Sequence, residues 1–400
     1  MAVPRPYMPH TIFGAEDGSH GSVPRVLIVP PRYVQGDRVL DHLGRYLSIV
    51  PSRRSAILIS EGGRRRDGER LLSSLRQSDN DPVFVTFRGE CSGEEVARVV
   101  GVVQNITPPV DCVVAVGGGK CLDAGKCVAA RLSVPVAICP SLASNDAPCS
   151  ACSVMYTPAG VIAGGEFFPR SPSLVVIDTR VVAEAPVRYL VAGMGDAMAT
   201  WYEARTCLQN PRARSVLGAR PTLAATALSE LCAGTLFADG VAAIEAVRNS
   251  KVTEALERIV EANTLLSGIG FESGGLAVAH AVAQGFTVVP SVHQQYLHGE
   301  MVAIGLLTQL MIESREEDAR QVAAFFAQVG LPIHLGQLGL TPEDKTLGTV
   351  MEVAMLFPYV GNEPFAVTSE TLLAASLQAH TLGMDIARRA GDAAYRKLHA

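Results

Sequence analysis

Three residues have the types expected of a single metal site: Asp196, His280 and His298. Two neutral imidazoles and one carboxylate, with coordination positions left open, make a divalent ion into a Lewis acid for oxygen-containing substrates. The three lie 84 and 18 positions apart along the chain, so no short ligand motif joins them. Glycine or alanine flanks each of them, which lets backbone approach a site closely. These residue types therefore indicate a candidate metal centre built from distant segments.

Each of the three residues also has an ordinary structural explanation. Asp196 and His298 stand where helices are predicted to begin, so either side chain could simply cap a helix. His280 is surrounded by alanine and valine and could be a hydrogen-bonded histidine of the core. The residue types alone leave both readings open.

A second candidate site follows a buried apolar run at residues 111–116. This run breaks into Gly117-Gly118-Gly119-Lys120, and a helix is predicted from about Cys121. Backbone N–H groups at such a turn, with a helix N-terminus behind them, form a cradle for a pyrophosphate. The spacing matches neither the common dinucleotide fingerprint nor the P-loop, so a glycine-rich turn without a ligand is the alternative.

The elements that must position these residues change character near residue 187. Before it, short β-branched runs alternate with helical patterns, which predicts a mostly parallel sheet. The predicted strands are residues 26–29, 56–60, 82–87, 112–116, 134–140 and 174–178. After it, helical periodicity prevails, at residues 187–207, 222–237, 253–268, 299–314 and 371–398. We therefore predict a loosely attached extension at 1–22, an α/β nucleotide-binding domain at 23–187 and a helical metal-binding domain at 188–400, with the active site between them.

Composition excludes several classes of protein. Hydrophobic residues make up 48% and charged residues 18%, as in an ordinary globular chain. The net charge of −5 gives no reason to expect a nucleic-acid partner. No apolar run reaches the length of a membrane span, and the first 22 residues lack the apolar block of a secretory signal. Nine scattered cysteines fit reduced thiols. We expect a cytoplasmic or otherwise intracellular protein, an organelle included.

The glycine turn and its helix resemble a known family signature. Gly117-Gly118-Gly119-Lys120-Cys121-Leu122-Asp123-Ala124-Gly125-Lys126 is similar to the Gly-Gly-Gly-x-x-x-Asp-x-x-Lys motif of iron-dependent alcohol dehydrogenases and dehydroquinate-synthase-like enzymes. Further segments resemble glycerol dehydrogenases in particular, at residues 140–150, 154–158, 190–197, 272–276 and 298–300. The resemblance runs from about residue 27 to residue 382. It implies a Rossmann-like α/β domain followed by an all-helical one, the dehydroquinate-synthase-like fold.

The resemblance also implies roles for individual residues. It places Asp196, His280 and His298 as ligands of a divalent metal, usually zinc here and iron in related enzymes. It places Asp146 against a substrate hydroxyl. The residues implied at the phosphates and ribose of NAD or NADP are Gly118, Gly119, Lys120 and Asp123, and those implied on the nicotinamide side are Ser141, Ser144, Ser150, Cys152 and Tyr156. The implied activity is oxidation of a small polyol to the hydroxyketone by a homo-oligomeric enzyme.

Three departures from the family pattern concern the choice of polyol. Asn145 stands where threonine is common, Met301 where lysine is common and Ala283 where histidine is often found. None of them removes a proposed ligand. Residues beside the cleft discriminate among substrates, so the departures leave the identity of the polyol open.

The choice between NAD and NADP depends on the end of the second strand. Family members that use NAD carry an aspartate there, which binds the adenosine ribose and repels a 2′-phosphate. Ser60 takes that position here, and Arg64, Arg65 and Arg66 follow it. The sequence thus predicts that NADP is used at least as readily as NAD. The alternative is that Glu61 replaces the aspartate and the arginines are only solvated.

Two other functions share parts of this pattern. A cyclase of the dehydroquinate-synthase type would have the glycine signature and a metal, but it would offer a glutamate as first ligand and a basic cluster for a phosphate. This chain has Asp196 and no such cluster in its helical half. A non-catalytic relative is the third possibility, and the intact ligand set argues against it.

Overall fold

The computed structural model describes residues 7–14, 23–50 and 52–400. Six parallel strands form one sheet in the order β1-β8-β5-β4-β2-β3, and β6 and β7 form an antiparallel hairpin. The strands are β1 (Tyr33–Gly36), β2 (Arg54–Ile59), β3 (Asp81–Thr86), β4 (Cys112–Gly117), β5 (Val136–Pro140), β6 (Cys152–Tyr156), β7 (Ile162–Phe167) and β8 (Leu174–Asp178). The predicted α/β sheet followed by helices is confirmed.

Helices pack against the sheet and predominate in the second half of the described chain. Those in the first half are α1 (Pro9–Phe13), α2 (Leu43–Leu47), α3 (Glu61–Arg76), α4 (Gly93–Gln104), α5 (Gly119–Leu132) and α6 (Thr179–Ala183). Those that follow are α7 (Val187–Gln209), α8 (Leu223–Arg248), α9 (Glu254–Glu261), α10 (Ser267–Ile269), α11 (Val278–Phe286), α12 (Pro290–Gln295), α13 (His298–Ile312), α14 (Glu316–Val329), α15 (Thr346–Ala354), α16 (Ser369–Ala390) and α17 (Ala393–His399). Two π-helical turns, Ala262–Leu266 and Gly270–Gly274, flank α10.

One predicted strand is wrong. Residues 26–29 are extended but join no sheet, and the edge position beside β8 belongs to Tyr33–Gly36. The apolar side chains of Val26 and Ile28 instead pack on a small cluster of the helical half that includes Leu217 and Leu276. The Ile28 N–H donates to Ser273 Oγ at 3.0 Å. This segment therefore packs against the helical half and does not join the sheet.

The predicted loose extension is partly attached to the body of the protein. Residues 1–6 and 15–22 of it lie outside the described residues. Tyr7 forms a bridge to Phe167 of β7, and the His10 ring meets the Phe167 ring edge-on at 5.7 Å. The described part of the extension, residues 7–14, therefore packs against the hairpin.

The sheet shares a core with the helices. One face contributes Ala115, Ile138 and Val175 to the same buried cluster as α7, α11 and α13. Helix α8 has the length and apolar composition of a membrane span, but it packs on α7 and α9, and its apolar residues Cys232 and Leu236 belong to this cluster. The core therefore fixes the helical half against the sheet.

The topology of the sheet selects the edge at which a ligand binds. β2 continues to β3 on one side, whereas β4 continues to β5 and β8 on the other, so the direction of winding reverses between β2 and β4. In open α/β sheets, ligands bind at such a switch point, outside the carboxyl ends of the strands. Ser60 follows β2, Gly118 follows β4 and Ser141 follows β5, so three predicted cofactor residues meet at this edge.

Candidate active site

The glycine turn lines a cleft of about 320 Å³. Helix α5 begins at Gly119, two residues earlier than predicted, with Gly118 as its extended N-cap. A Cβ at Gly119 would lie 2.7 Å from Asn145 Nδ2, so a larger residue here would have to displace the Asn145 amide. The cleft is lined by Ser60, Gly63, Arg66, Phe87, Gly89, Val116, Gly117, Gly118, Gly119, Lys120, Cys121 and Ser141. Free N–H groups at the start of α5 make it a suitable anion cradle.

Lys120 lies at the mouth of this cleft. Its ammonium pairs with Glu90 at 2.7 Å and lies 4.7 Å from the centroid of the Tyr156 ring. The ring and the carboxylate hold the cation beside the glycine turn. Lys120 therefore lines the cleft, and Tyr156 contacts Lys120 without lining it, while the cofactor roles of both stay predictions.

Asp123 and Lys126 lie under the turn and form a buried ion pair at 2.9 Å. Asp123 also accepts from the Val154 N–H at 3.1 Å, and Lys126 donates to the carbonyl oxygens of Ala147 and Cys152 at 2.9 and 2.5 Å. Burial opposes the charge on Lys126, but Asp123 and its other neighbours keep its pKa above the ordinary value. Asp123 does not line the cleft, since its carboxylate faces the hairpin, and its contact with the cofactor stays a prediction.

The residues that the family pattern implies on the nicotinamide side also form two groups, one at the cleft and one around Lys126. Ser141 lines the cleft, and Ser144 lies half-buried in the segment that follows β5. Ser150 is buried, and its Oγ lies 3.3 Å from Lys126 Nζ. The carbonyl of Cys152 accepts from the same ammonium. Lys126 thus fixes the backbone conformation of residues 147–152 through hydrogen bonds to their carbonyl oxygens.

The predicted metal ligands meet in one place. One ligand atom each from Asp196, His280 and His298 lie within 4.8 Å of one another. His280 Nε2 lies 3.3 Å and His298 Nε2 3.4 Å from Asp196 Oδ1. Asp196 comes from the middle of α7, His280 from α11 and His298 from the first position of α13. The two imidazoles counteract burial and lower the pKa of Asp196.

These residues fit a divalent ion. Asp196 Oδ2 is buried and has no hydrogen-bond partner among the described residues, and an unpaired buried carboxylate oxygen is costly unless a cation satisfies it. Two imidazoles and a carboxylate are ligands that both zinc and iron(II) accept. The set also leaves coordination positions for substrate oxygens. The donor atoms therefore support the metal-site reading over helix capping.

A residue that the motifs missed orients His280. Glu203 is fully buried, and its Oε2 lies 2.6 Å from His280 Nδ1. Its Oε1 accepts from the backbone N–H groups of Ala277 and His280 at 2.8 and 3.1 Å. A carboxylate on the far nitrogen fixes the tautomer so that Nε2 is free to bind metal. One sequence feature could have identified Glu203: it lies seven residues after Asp196, which puts both on the same face of α7, two turns apart.

Asp146 lies beside the metal ligands on the segment after β5. Its Oδ2 accepts from Ser267 Oγ at 3.1 Å. Burial raises the pKa of Asp146 well above its ordinary value, and the Asp196 carboxylate adds to this while His280 opposes it. The structure therefore brings Asp146 and the proposed ligands into one electrostatically coupled group.

The departures from the family pattern lie in different surroundings. Met301 and Ala283 are buried in the helical core. Asn145 lies against the glycine turn, and its Oδ1 accepts from the Ala147 N–H at 3.2 Å. Of the three, only Asn145 adjoins the cleft.

Comparison with known proteins agrees with this geometry. Residues 30–179 match the family model described as iron-containing alcohol dehydrogenase. The chain is 45% identical to a glycerol dehydrogenase from Thermotoga maritima over 359 residues, which is 89% of this chain and 97% of that protein.

Solved structures give the same result for the fold. A glycerol dehydrogenase from Schizosaccharomyces pombe aligns with a TM-score of 0.86 at 33% identity, covering 92% of this chain and 93% of that one. A probable glycerol dehydrogenase from Sinorhizobium meliloti aligns with a TM-score of 0.83 at 37% identity, covering 90% and 99%. The chain therefore belongs to the glycerol dehydrogenases of the iron-containing alcohol dehydrogenase family, which are metal-dependent oxidoreductases of polyols.

Proposed function

We propose that the protein oxidises glycerol, or a similarly small vicinal diol, to the hydroxyketone with a nicotinamide cofactor. The observation that carries this proposal is the convergence of Asp196, His280 and His298 beside the half-buried Asp146. Three metal ligands and a separate carboxylate can engage two neighbouring hydroxyl groups at once. The relatives give no support to the cyclase alternative, and the complete ligand set argues against a non-catalytic role.

We propose separate roles for the metal ligands, for Glu203 and for Asp146. Asp196, His280 and His298 would hold the ion, and Glu203 would keep the His280 ring in its binding orientation. When bound, the divalent ion would supply a Lewis acid for a hydroxyl oxygen and the nicotinamide a hydride acceptor. Asp146, held by Ser267, would accept a hydrogen bond from a substrate hydroxyl and so orient the diol.

The cleft supports use of NADP at least as readily as NAD. Ser60 and Arg66 line it together with the glycine turn. Glu61 and Arg64 instead line the neighbouring groove between α3 and β3, where the Arg64 guanidinium stacks on the Phe84 ring at 4.8 Å. A serine does not repel a 2′-phosphate, and Arg66, whose guanidinium pairs with Asp67 at 2.7 Å, would offer the phosphate a cation. Because Glu61 lines that groove and not the cleft, Ser60 is the residue we propose at the ribose.

Zinc is the ion we propose. Assembly as a homo-oligomer and an intracellular location remain predictions from the sequence and the relatives. Light scattering of the purified protein measures the oligomeric state.

Formation of reduced nicotinamide from glycerol, followed by absorbance, tests the proposed function. We expect turnover with glycerol, loss of turnover after dialysis against a chelator, and recovery on adding zinc. His280→Ala should retain neither zinc nor activity, whereas His42→Ala, a change at an exposed histidine of the α/β half, should retain both. Full activity of the metal-free enzyme, or of His280→Ala, would contradict the proposal.

A further inference from the structure

Glu300 links the two helices that carry Asp196 and His298. It is only 1% exposed and lies in the first turn of α13, two residues after His298. Arg188, in the first turn of α7, donates to both carboxylate oxygens at 2.7 Å. The Leu297 N–H donates to Glu300 Oε2 at 2.8 Å. This carboxylate therefore ties the start of α13 to the start of α7.

Helix α17 supplies the remaining partner of Glu300. His399 Nε2 lies 2.9 Å from Glu300 Oε1, and His399 Nδ1 lies 2.9 Å from the carbonyl oxygen of Tyr395. The rings of Tyr395 and His399 stack at 4.0 Å. The Tyr395 hydroxyl donates to the Gln337 carbonyl oxygen and lies 3.4 Å from the Tyr296 hydroxyl. The imidazole is thus held in position on both sides.

His298 depends on this arrangement more than the other ligands do. Its side chain is 51% exposed, whereas that of His280 is 10% exposed. His298 is also the first residue of α13, and the N-cap residue, Leu297, has no polar side chain that could cap the helix by a hydrogen bond. The first turn of a helix frays unless its N–H groups are satisfied. The Glu300 carboxylate therefore has a direct influence on where His298 is held.

We infer that α17 is a positioning element for the metal site, with His399 acting on His298 through Glu300. His399 touches neither the proposed ion nor the substrate, so it is a positioning residue and not a catalytic one. Its removal leaves Glu300 Oε1 with Arg188 Nε as its partner and takes away the contact from α17, which loosens the turn that presents His298. The inference rests on the proposed metal site, because it assigns a support to one of its three ligands.

The test compares zinc affinity, measured by competition with a chromogenic chelator, in four full-length proteins. His399→Phe keeps an aromatic ring for Tyr395 and removes both nitrogens, and we expect about tenfold weaker zinc binding. His399→Gln, which retains a donor, should recover part of the loss. Lys397→Ala, an exposed position on the same helix, should match the wild type. Thermal unfolding confirms that each variant is folded.

Hydrogen exchange of residues 297–301 in the metal-free proteins gives a second readout that needs no activity. We expect faster exchange in His399→Phe than in wild type or Lys397→Ala. Unchanged zinc affinity and unchanged exchange in a folded His399→Phe would overturn the inference and leave the proposed function standing. A wild-type protein that binds no zinc would overturn the proposed function, and the positioning role with it.

Discussion

Gly195 and Gly299 face each other where α7 and α13 cross. A Cβ added to Gly195 would lie 2.3 Å from the carbonyl oxygen of Gly299, and a Cβ added to Gly299 would lie 1.7 Å from that of Ala192. Both glycines adjoin proposed metal ligands, Asp196 and His298. The distance between the two ligands is therefore set by backbone contact and not by flexible side chains.

Gly299→Ala should separate the two helices and disrupt the metal site. We expect loss of bound zinc and a decrease in unfolding free energy of about 1–3 kcal/mol from overpacking. Gly234→Ala is the matched control, because Gly234 lies on the exposed face of α8 with nothing within 4 Å of an added Cβ. That change should leave zinc content intact and stabilise slightly. Equal zinc contents in the two variants would contradict the prediction.

Glu203→Gln should weaken metal binding without touching a ligand. The amide cannot hold the His280 ring as a carboxylate does, so we expect a zinc affinity about 10- to 100-fold lower. Glu230→Gln, at an exposed position of α8, serves as control. Isothermal titration of metal-free protein with zinc gives the affinities, and identical values for Glu203→Gln and wild type would rule out the orienting role.

Asp146→Ala should discriminate between diols and simple alcohols. If Asp146 binds the second hydroxyl, kcat/KM for glycerol should fall about 10- to 100-fold, because that hydroxyl would be left without its partner in the site. The value for 2-propanol, which has no second hydroxyl, should change much less. Ser267→Ala should show a smaller effect of the same kind, since it removes only the support of Asp146. Parallel losses for both substrates would count against this role.

Ser60→Asp should shift cofactor preference toward NAD. A carboxylate at the carboxyl end of β2 would accept from the ribose 2′-hydroxyl and repel a 2′-phosphate, so the ratio of kcat/KM for NADP over NAD should fall about tenfold or more. Glu61→Gln should leave this ratio unchanged, because Glu61 lines the neighbouring groove. A wild-type enzyme with a strong preference for NAD would refute the assignment to Ser60.

The raised pKa of Glu272 should make the stability of the protein depend on pH. Burial raises the pKa of its carboxyl to about 7 from the ordinary 4.5, although the Ala151 N–H and Lys126 both act to lower it. Between these values the native state binds more protons than the unfolded state, so stability falls as pH rises from about 4.5 to 7. The contribution amounts to roughly 3 kcal/mol at most.

Urea unfolding at pH 5 and pH 8 tests this dependence. Glu272→Gln, which keeps an acceptor for the Ala151 N–H, should lose less stability over this interval than wild type. Glu352→Gln, at an exposed position of α15, should behave as wild type. Equal pH dependence in wild type and Glu272→Gln would show that Glu272 is ionised throughout.

The sequence predicts the proposed ligands better than their supports. Asp196, His280 and His298 stand in segments that resemble family motifs, and the structure brings them together. Glu203 has no motif, and its role follows only from the packing of α11 on α7. The burial of Asp123 depends on the β6–β7 hairpin, which the strand pattern does not predict.

The strand predicted at residues 26–29 is also wrong because of tertiary packing. Residues 26–29 have the composition of a strand, yet Val26 and Ile28 pack on the helical cluster around Leu276, and Leu27 and Val29 are exposed. Composition indicates that a segment favours a strand, but not which surface its side chains will contact. Tertiary contacts settle that choice.

The unequal exposure of the ligands implies an order of metal exchange. Asp196 and His280 form a nearly closed seat inside the protein, while His298 stands half in solvent at the helix start. Of the three ligands, His298 is the one that solvent reaches, so it would be the first to contact an ion that enters the site. The mobility of the first turn of α13 would therefore govern how fast the site gains and loses its metal.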